Sequence, residues 1–195
     1  LLYDQVWLLG PGDDYDVTPM LAESWEVEDD MKTWTFHLRK NAKFYDGTPV
    51  TAADLAFTLE NLPKSDPAWE MVDFAYENFE VIDDYTFRVK MSYTFGMPYL
   101  PLYWMPVLPK HIWEPYKDDM KSFPNDECIG SGPYKLKEFK PGQYVWFEAN
   151  EDYCGEKPEV DEVVYKIYGS QDAMAMALGN GEIDMIGYYG LTPLA

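Results

Sequence analysis

Thr33-Trp34-Thr35-Phe36-His37-Leu38-Arg39 sets large apolar side chains at every second position and polar ones between them. A period of two marks a β-strand with one buried face, carried here by Trp34, Phe36 and Leu38. His37 falls on the polar side, which makes it a solvent-facing strand residue rather than a catalytic base. Upstream, residues 21–27 form a short apolar-acidic run, and Glu28-Asp29-Asp30-Met31 supplies a turn. Downstream, Asp46-Gly47-Thr48-Pro49 is turn chemistry. Thr51 then opens a helix: its hydroxyl can cap the first turn, with Asp54 three residues on. Leu55, Leu59 and Leu62 share one face of that helix, and Pro63 is expected to end it. A second hairpin follows, with strands over 79–82 and 86–91, a turn at Asp83-Asp84, and Phe87 and Val89 pointing inward. Residues 98–109 read as broken helical turns and 110–116 as a short helix.

A different layout begins at Gly130. Residues 134–140 and 143–149 flank Pro141-Gly142 as a hairpin, and residues 160–168 are apolar enough for a buried strand. Ser170 caps a helix to about Leu178, with Asp172 in its first turn and Gly179 and Gly181 as the stop. Residues 183–186 read as one more strand. Strand, helix, strand with short joints predicts a right-handed crossover in a mostly parallel sheet. The expected fold class is α+β passing into α/β, with a small α+β subdomain over 1–129 and part of an α/β sheet over 130–195.

Composition narrows the function. The 195 residues carry 15 Lys plus Arg against 35 Asp plus Glu, a net charge of −20. Such a chain offers no basic surface for nucleic acid or for anionic membranes. The acid reads as a solvated surface that keeps the protein dispersed, since no Asp-x-Asp-x-Asp-Gly loop points to calcium. No apolar run approaches the ~20 residues that span a bilayer. No signal segment precedes Leu1, so the chain is expected to be part of something longer. Catalytic chemistry is not prominent. His37 and His111 are the only histidines, and neither lies near a Gly-x-Ser-x-Gly elbow. Phosphate-loop and dinucleotide fingerprints are missing from the sequence. In a chain this acidic, paired carboxylates arise by chance and give a glycosidase little specific support. The expectation is a non-enzyme with no cofactor and no metal site.

Aromatic residues are the more informative anomaly, at 17% of the chain. Most fill cores. Tyr103-Trp104 and Tyr188-Tyr189 differ, because each pair sits beside Pro or Gly in a loop where rings stay available for stacking.

Several ordered runs together carry a resemblance. Leu21-Ala22-Glu23-Ser24-Trp25-Glu26-Val27 and Trp34-Thr35-Phe36-His37-Leu38-Arg39 come first. Lys43-Phe44-Tyr45-Asp46-Gly47-Thr48-Pro49-Val50-Thr51-Ala52-Ala53-Asp54 follows. Gly130-Ser131-Gly132-Pro133-Tyr134-Lys135-Leu136, Asn150-Glu151-Asp152-Tyr153 and Gly181-Glu182-Ile183-Asp184 complete the set. In that order they resemble the oligopeptide-, dipeptide- and nickel-binding proteins of extracellular solute-binding protein family 5, and the likeness runs nearly from end to end. It implies a two-lobed periplasmic-binding-protein-like fold of which this chain is a fragment lacking the second lobe. It further implies an extracytoplasmic solute-capture component of an ABC importer, periplasmic or extracellular and with a lipoprotein anchor allowed, whose cargo is a peptide and whose partner is a permease. The positions matching cleft-lining segments are Tyr103, Trp104, Gly187, Tyr188, Tyr189 and Trp69. Where oligopeptide binders carry Asn-rich sequence after Gly-Glu-Ile-Asp, Gly187-Tyr188-Tyr189 favours stacking. An oligosaccharide or nickel-chelate cargo is the alternative within the family, although the Arg that nickel binders place near Met105 is absent. A free-standing carbohydrate-binding or hydrolytic module is the alternative outside it.

Two further expectations concern association and redox state. A sheet built from 160–168 and 183–186 without neighbours presents an apolar edge, so self-association or an exchanged segment is expected. Cys128 and Cys154 are a candidate disulfide in an oxidising compartment. If Lys140 faces Gln143, however, Ile129 faces Cys154 and Cys128 is one residue off register. Bridged pair and unrelated thiols stand level at this stage.

Overall fold

The structure, a computed structural model, describes residues 2–9, 17–65, 75–94 and 105–187. The chain divides into two compact units, Leu1–Lys135 with Ala149–Asp161, and Leu136–Glu148 with Glu162–Ala195. Gly130 to Lys135 therefore stays with the first unit.

The first unit is built on a four-stranded antiparallel sheet. Its strands are β3 (Ala22–Val27), β4 (Thr33–Leu38), β5 (Tyr76–Asp83) and β6 (Thr86–Met91), in spatial order β3-β4-β6-β5. A separate ribbon pairs β1 (Trp7–Leu9) with β2 (Val17–Pro19). The alternation that predicts β4 and β6 is obeyed: Trp34, Phe36, Leu38, Phe87, Val89 and Met91 are all buried. One expectation fails on β4. Its polar face is not solvent-facing throughout, because Thr33 and Thr35 are also buried. A strand flanked on both sides has cover that alternation alone does not reveal. Here Arg88 Nε on β6 donates to Thr35 Oγ1 at 3.2 Å.

Helix α1 (Ala52–Ser65) buries Leu55, Leu59 and Leu62, as its spacing requires. The start of α1 is closed by Asp54 rather than by the Thr51 hydroxyl. Asp54 Oδ2 accepts from both the Thr51 N–H (2.8 Å) and its Oγ1 (2.9 Å), and Oδ1 accepts the Lys110 N–H at 2.9 Å. Pro63 was expected to end the helix and does not. A proline there frees the Leu59 carbonyl, which would otherwise accept its N–H. The Tyr76 hydroxyl of β5 donates to that carbonyl at 3.0 Å, so the helix tolerates the residue. Beyond β6, helix α2 (Lys110–Trp113) continues into a 3₁₀ turn (Glu114–Tyr116), the short helix expected at 110–116.

The second unit carries most of a three-stranded sheet of order β7-β8-β9, with β7 (Tyr134–Lys140), β8 (Tyr144–Ala149) and β9 (Glu162–Lys166). Gly142, at φ 73°, makes the left-handed turn between β7 and β8 that only glycine adopts freely. Lys137 spans this sheet, its ammonium 4.2 Å from the Trp146 ring centroid and bonded to Glu162. Helix α3 (Gln171–Gly179) is capped by Ser170, whose Oγ accepts the Ala173 N–H at 3.2 Å. Its C-terminus closes as a Schellman motif: Gly181 at φ 71°, with Gly181 N–H to Leu178 O and Glu182 N–H to Ala177 O.

Here the expected parallel crossover is corrected. β8 and β9 are antiparallel, and residues 183–186 form no strand among the described residues. The Schellman closure turns the chain back at once, and the Lys166 ammonium donates to Glu182 O at 3.0 Å. Nor is β9 a buried strand, since Val164, Tyr165 and Ile167 are each about half exposed. An apolar run reads as a buried strand from sequence whether or not a neighbour exists to cover it.

Candidate functional site

The first unit brings three separated sequence runs to one place, around the extended segment Leu2–Val6. Gly130 lies against Leu2, so closely that a Cβ would sit 2.0 Å from Leu2 O. Gly132 N–H donates to Leu2 O at 2.9 Å, and Gly130 O accepts the Tyr45 N–H at 2.9 Å. The Tyr45 phenol reaches into the same knot, 2.5 Å from Leu2 O and 2.6 Å from Tyr134 O. Its single proton serves one carbonyl at a time. Asn150 locks the third run in: its Nδ2 donates to Gly132 O at 3.0 Å and its N–H to Pro133 O at 2.8 Å. Burial pushes the Tyr45 phenol well above the ordinary tyrosine range.

Beside this knot lies an open pocket of about 570 Å³ lined by Asn41, Lys43, Phe44, Tyr45, Gly47, Lys135, Asn150 and Asp152. Lys135 holds its ammonium 5.6 Å from the Tyr45 ring centroid, which keeps one cation over an aromatic wall. The pocket therefore offers two ammonium groups, one carboxylate and two ring faces, suited to holding charged or polar groups on its rim. At its edge His111 Nε2 lies 2.7 Å from Asp46 Oδ2 and its ring packs 5.7 Å from Phe44. Despite partial desolvation, hydrogen bonds from His111 and Thr48 hold the Asp46 carboxyl below its usual range.

Under the knot sits a buried acid. Asp4 is 2% exposed; its Oδ2 accepts from the Tyr153 hydroxyl at 3.0 Å and its Oδ1 from the Gln5 N–H at 3.0 Å. Burial raises its pKa from 3.8 to about 6. The same burial, together with the Asp4 charge, raises Tyr153 and lifts the Cys154 thiol to about 11. For an acid whose folded pKa lies above its unfolded value, stability is complete below about pH 4 and declines as pH rises through about 6. Between pH 4 and 7 this one group lowers unfolding free energy by about 2 kcal/mol. Asp4→Asn removes that decline, so its stability relative to the parent rises by that amount across the window. Urea titrations of both proteins at pH 4, 5, 6 and 7 test this, and parallel curves would refute it.

Of the cleft residues expected from sequence, Trp69, Tyr103, Trp104, Tyr188 and Tyr189 lie outside the described residues. Gly187 is described: it is exposed, and a Cβ there would meet nothing within 4 Å. Cys128 and Cys154 are free thiols in the structure. Their settings differ, since Cys128 Sγ donates to Asn125 O at 3.1 Å whereas Cys154 packs on the apolar core. Sequence reasoning did not single out the pocket. All of its residues but Asn41 lie in the very runs that carry the family likeness, and their signal was turn-forming Gly and Asp next to Lys and Tyr. Among the described residues, no group of three or more His, Cys, Asp or Glu converges as a metal site, and no helix is long and apolar enough to cross a membrane.

Comparison with known proteins agrees with this architecture. The family model for bacterial extracellular solute-binding proteins, family 5 Middle, matches residues 16–195. The probable D,D-dipeptide-binding periplasmic protein DdpA of Escherichia coli K12 is 34% identical over 177 residues, which are 87% of this chain and 34% of DdpA. The oligopeptide-binding protein AppA of Bacillus subtilis, solved in complex with a nonapeptide, superposes with a TM-score of 0.80 at 31% identity, over 93% of this chain and 37% of that one. The ABC transporter substrate-binding protein CtaP of Listeria monocytogenes gives 0.76 at 32% identity, over 93% and 37%. The chain thus spans about a third of the length of the relatives it matches.

Proposed function

We propose, because this chain belongs to the bacterial extracellular solute-binding proteins of family 5, that it forms part of the solute-capture component of an ABC importer whose cargo is a peptide. The observation that carries the reading is the convergence of residues 43–54, 130–136 and 150–153 on one knot, within a fold that superposes on a nonapeptide-bound relative. Members of this family are binding proteins, and this chain is read as a carrier, not an enzyme. The whole protein would act outside the cytoplasm, a lipoprotein anchor being allowed, and would hand its cargo to a permease. Tyr103, Trp104, Tyr188 and Tyr189 are assigned to the cleft wall, where rings stack on peptide groups, with Gly187 leaving room for the backbone and Trp69 at the margin.

Enclosure between two lobes supplies most of the affinity in such a design, and this chain supplies one wall. The 195-residue chain is therefore expected to bind a nonapeptide only at about millimolar, roughly −4 kcal/mol. Tryptophan fluorescence titration tests this, with the response to peptide lost in Trp104→Ala. A dissociation constant near micromolar, about −8 kcal/mol, would refute the shared-wall account. A response to oligosaccharides in place of peptides, or peptide hydrolysis, would refute the function.

A further inference from the structure

The pocket beside the knot is lined by three charged groups that meet no opposite charge among the described residues. Lys90, Lys110, Lys137, Lys140 and Lys157 each pair with a glutamate. Neither Lys43 nor Lys135 comes within ion-pair distance of a carboxylate among the described residues, and Asp152 meets no ammonium there. The acids next to them in sequence are already engaged. Asp46 bonds His111 through Oδ2 and the Thr48 N–H through Oδ1, and Glu151 pairs with Lys157 at 3.2 Å. In a chain of 15 basic and 35 acidic residues, a wall with two ammonium groups to one carboxylate reverses the sign of the local field.

The wall is fastened from within. Asn41 Nδ2 donates to Cys154 O at 3.4 Å, the Tyr45 N–H to Gly130 O at 2.9 Å, and the Asp152 N–H to Asn150 Oδ1 at 3.2 Å. All the lining residues lie between positions 41 and 152 and belong to the first unit. The knot fixes the Tyr45 ring, and Lys135 rests its ammonium 5.6 Å from that ring's centroid. A cation ordered in advance costs less entropy when a guest arrives. The turn supplies no competing donors, since the Phe44 N–H is spent on Thr48 O and the Gly47 N–H on Phe44 O. An anion entering here is met by side-chain ammonium groups.

We propose that this pocket binds a free acidic amino acid, its two carboxylates met by Lys43 and Lys135 and its ammonium by Asp152. The charges match one for one: two positive and one negative on the wall, two negative and one positive on the guest. Within a peptide an acidic residue loses its α-ammonium, its α-carboxylate or both, so only the free amino acid carries all three. The volume, about 570 Å³, is of small-molecule size. None of these residues belongs to the aromatics assigned to the cleft wall, so this site and that wall stand or fall separately.

Titration of the 195-residue chain with L-glutamate, followed by amide NMR shifts, is the test. The expected result is saturable shifts confined to residues 41–47, 135 and 150–152, with a dissociation constant of about a millimolar or below. Lys43→Gln and Lys135→Gln are each expected to weaken binding about tenfold or more, while keeping the parent's far-UV spectrum. Lys64→Gln, at an exposed lysine of α1, is expected to leave it unchanged. Glutamine, which keeps one carboxylate, is expected to bind about tenfold or more weakly than glutamate. Asp152→Asn separates an acidic amino acid from a plain anion. It is expected to weaken glutamate and to strengthen glutarate, which keeps both carboxylates and lacks the ammonium. The absence of a saturable response to glutamate overturns the proposal. So does glutarate binding the parent as tightly as glutamate, or inorganic phosphate giving the same shifts at the same concentration, the mark of an adventitious ion only. Lys43 and Lys135 resisting acetic anhydride in the free protein would show that the chain fills this pocket itself, and would overturn it as well.

Discussion

Gly130→Ala is expected to lower the unfolding free energy by at least about 3 kcal/mol, the range of severe overpacking. The added methyl would lie 2.0 Å from Leu2 O, 2.7 Å from Leu2 C and 3.3 Å from the Tyr45 ring. The ring can give way; the backbone cannot move without cost. Shifting Leu2 breaks its bond from Gly132 N–H and its contact with the Tyr45 hydroxyl, and drags the neighbouring Asp4 off Tyr153. The backbone φ of Gly130 lies outside the left-handed region, so the cost is steric rather than conformational. Urea denaturation followed by tryptophan fluorescence measures it. A loss under about 1 kcal/mol, typical of an ordinary surface change, would show that the segment yields freely.

Phe36→Ala is the second large loss, expected at about 3–5 kcal/mol. Phe36 is 0% exposed on the central strand β4, lies opposite Phe87 of β6 in register, and stacks at 6.3 Å on Trp34. Deleting its ring removes the transfer energy of the atoms and leaves a void beside a strand paired on both edges, so little collapse can refill it. Phe36→Leu, which keeps most of the volume, is expected to cost under half as much. Equal losses for the two variants would place the effect outside packing.

What the sequence made legible was local. Alternation at Trp34, Phe36 and Leu38, and again at Phe87 and Val89, found the strands, because a period of two is imposed by the chain on itself. Ser170 found the start of its helix for the same reason. Reading failed where the deciding partner lies far along the chain. Pro63 reads as a stop because the hydroxyl that rescues the helix belongs to Tyr76. The run 160–168 reads as a buried strand in a parallel sheet because its apolarity says nothing about whether a neighbour is present. The candidate site divides along the same line. The runs at residues 43–54, 130–136 and 150–153 were recognised as family signatures, but that they meet at Leu2 is a property of the folded chain. Of the cleft aromatics, the described residues include only the neighbouring Gly187.

The knot at Leu2 also sets a schedule for a chain made from its N-terminus. Leu2 waits for Gly132, Tyr3 for Asn125, 122 positions on, and Asp4 for Tyr153, 149 positions on. At roughly 5–20 residues per second, a ribosome takes roughly 6–30 s to deliver those partners. The strands β3 to β6 and helix α1, drawn from residues 22–91, are complete well before then. Residues 2–4 are thus synthesised before that sheet and fastened after it, and during that interval a nascent chain carries a finished sheet with the segment ahead of it still loose.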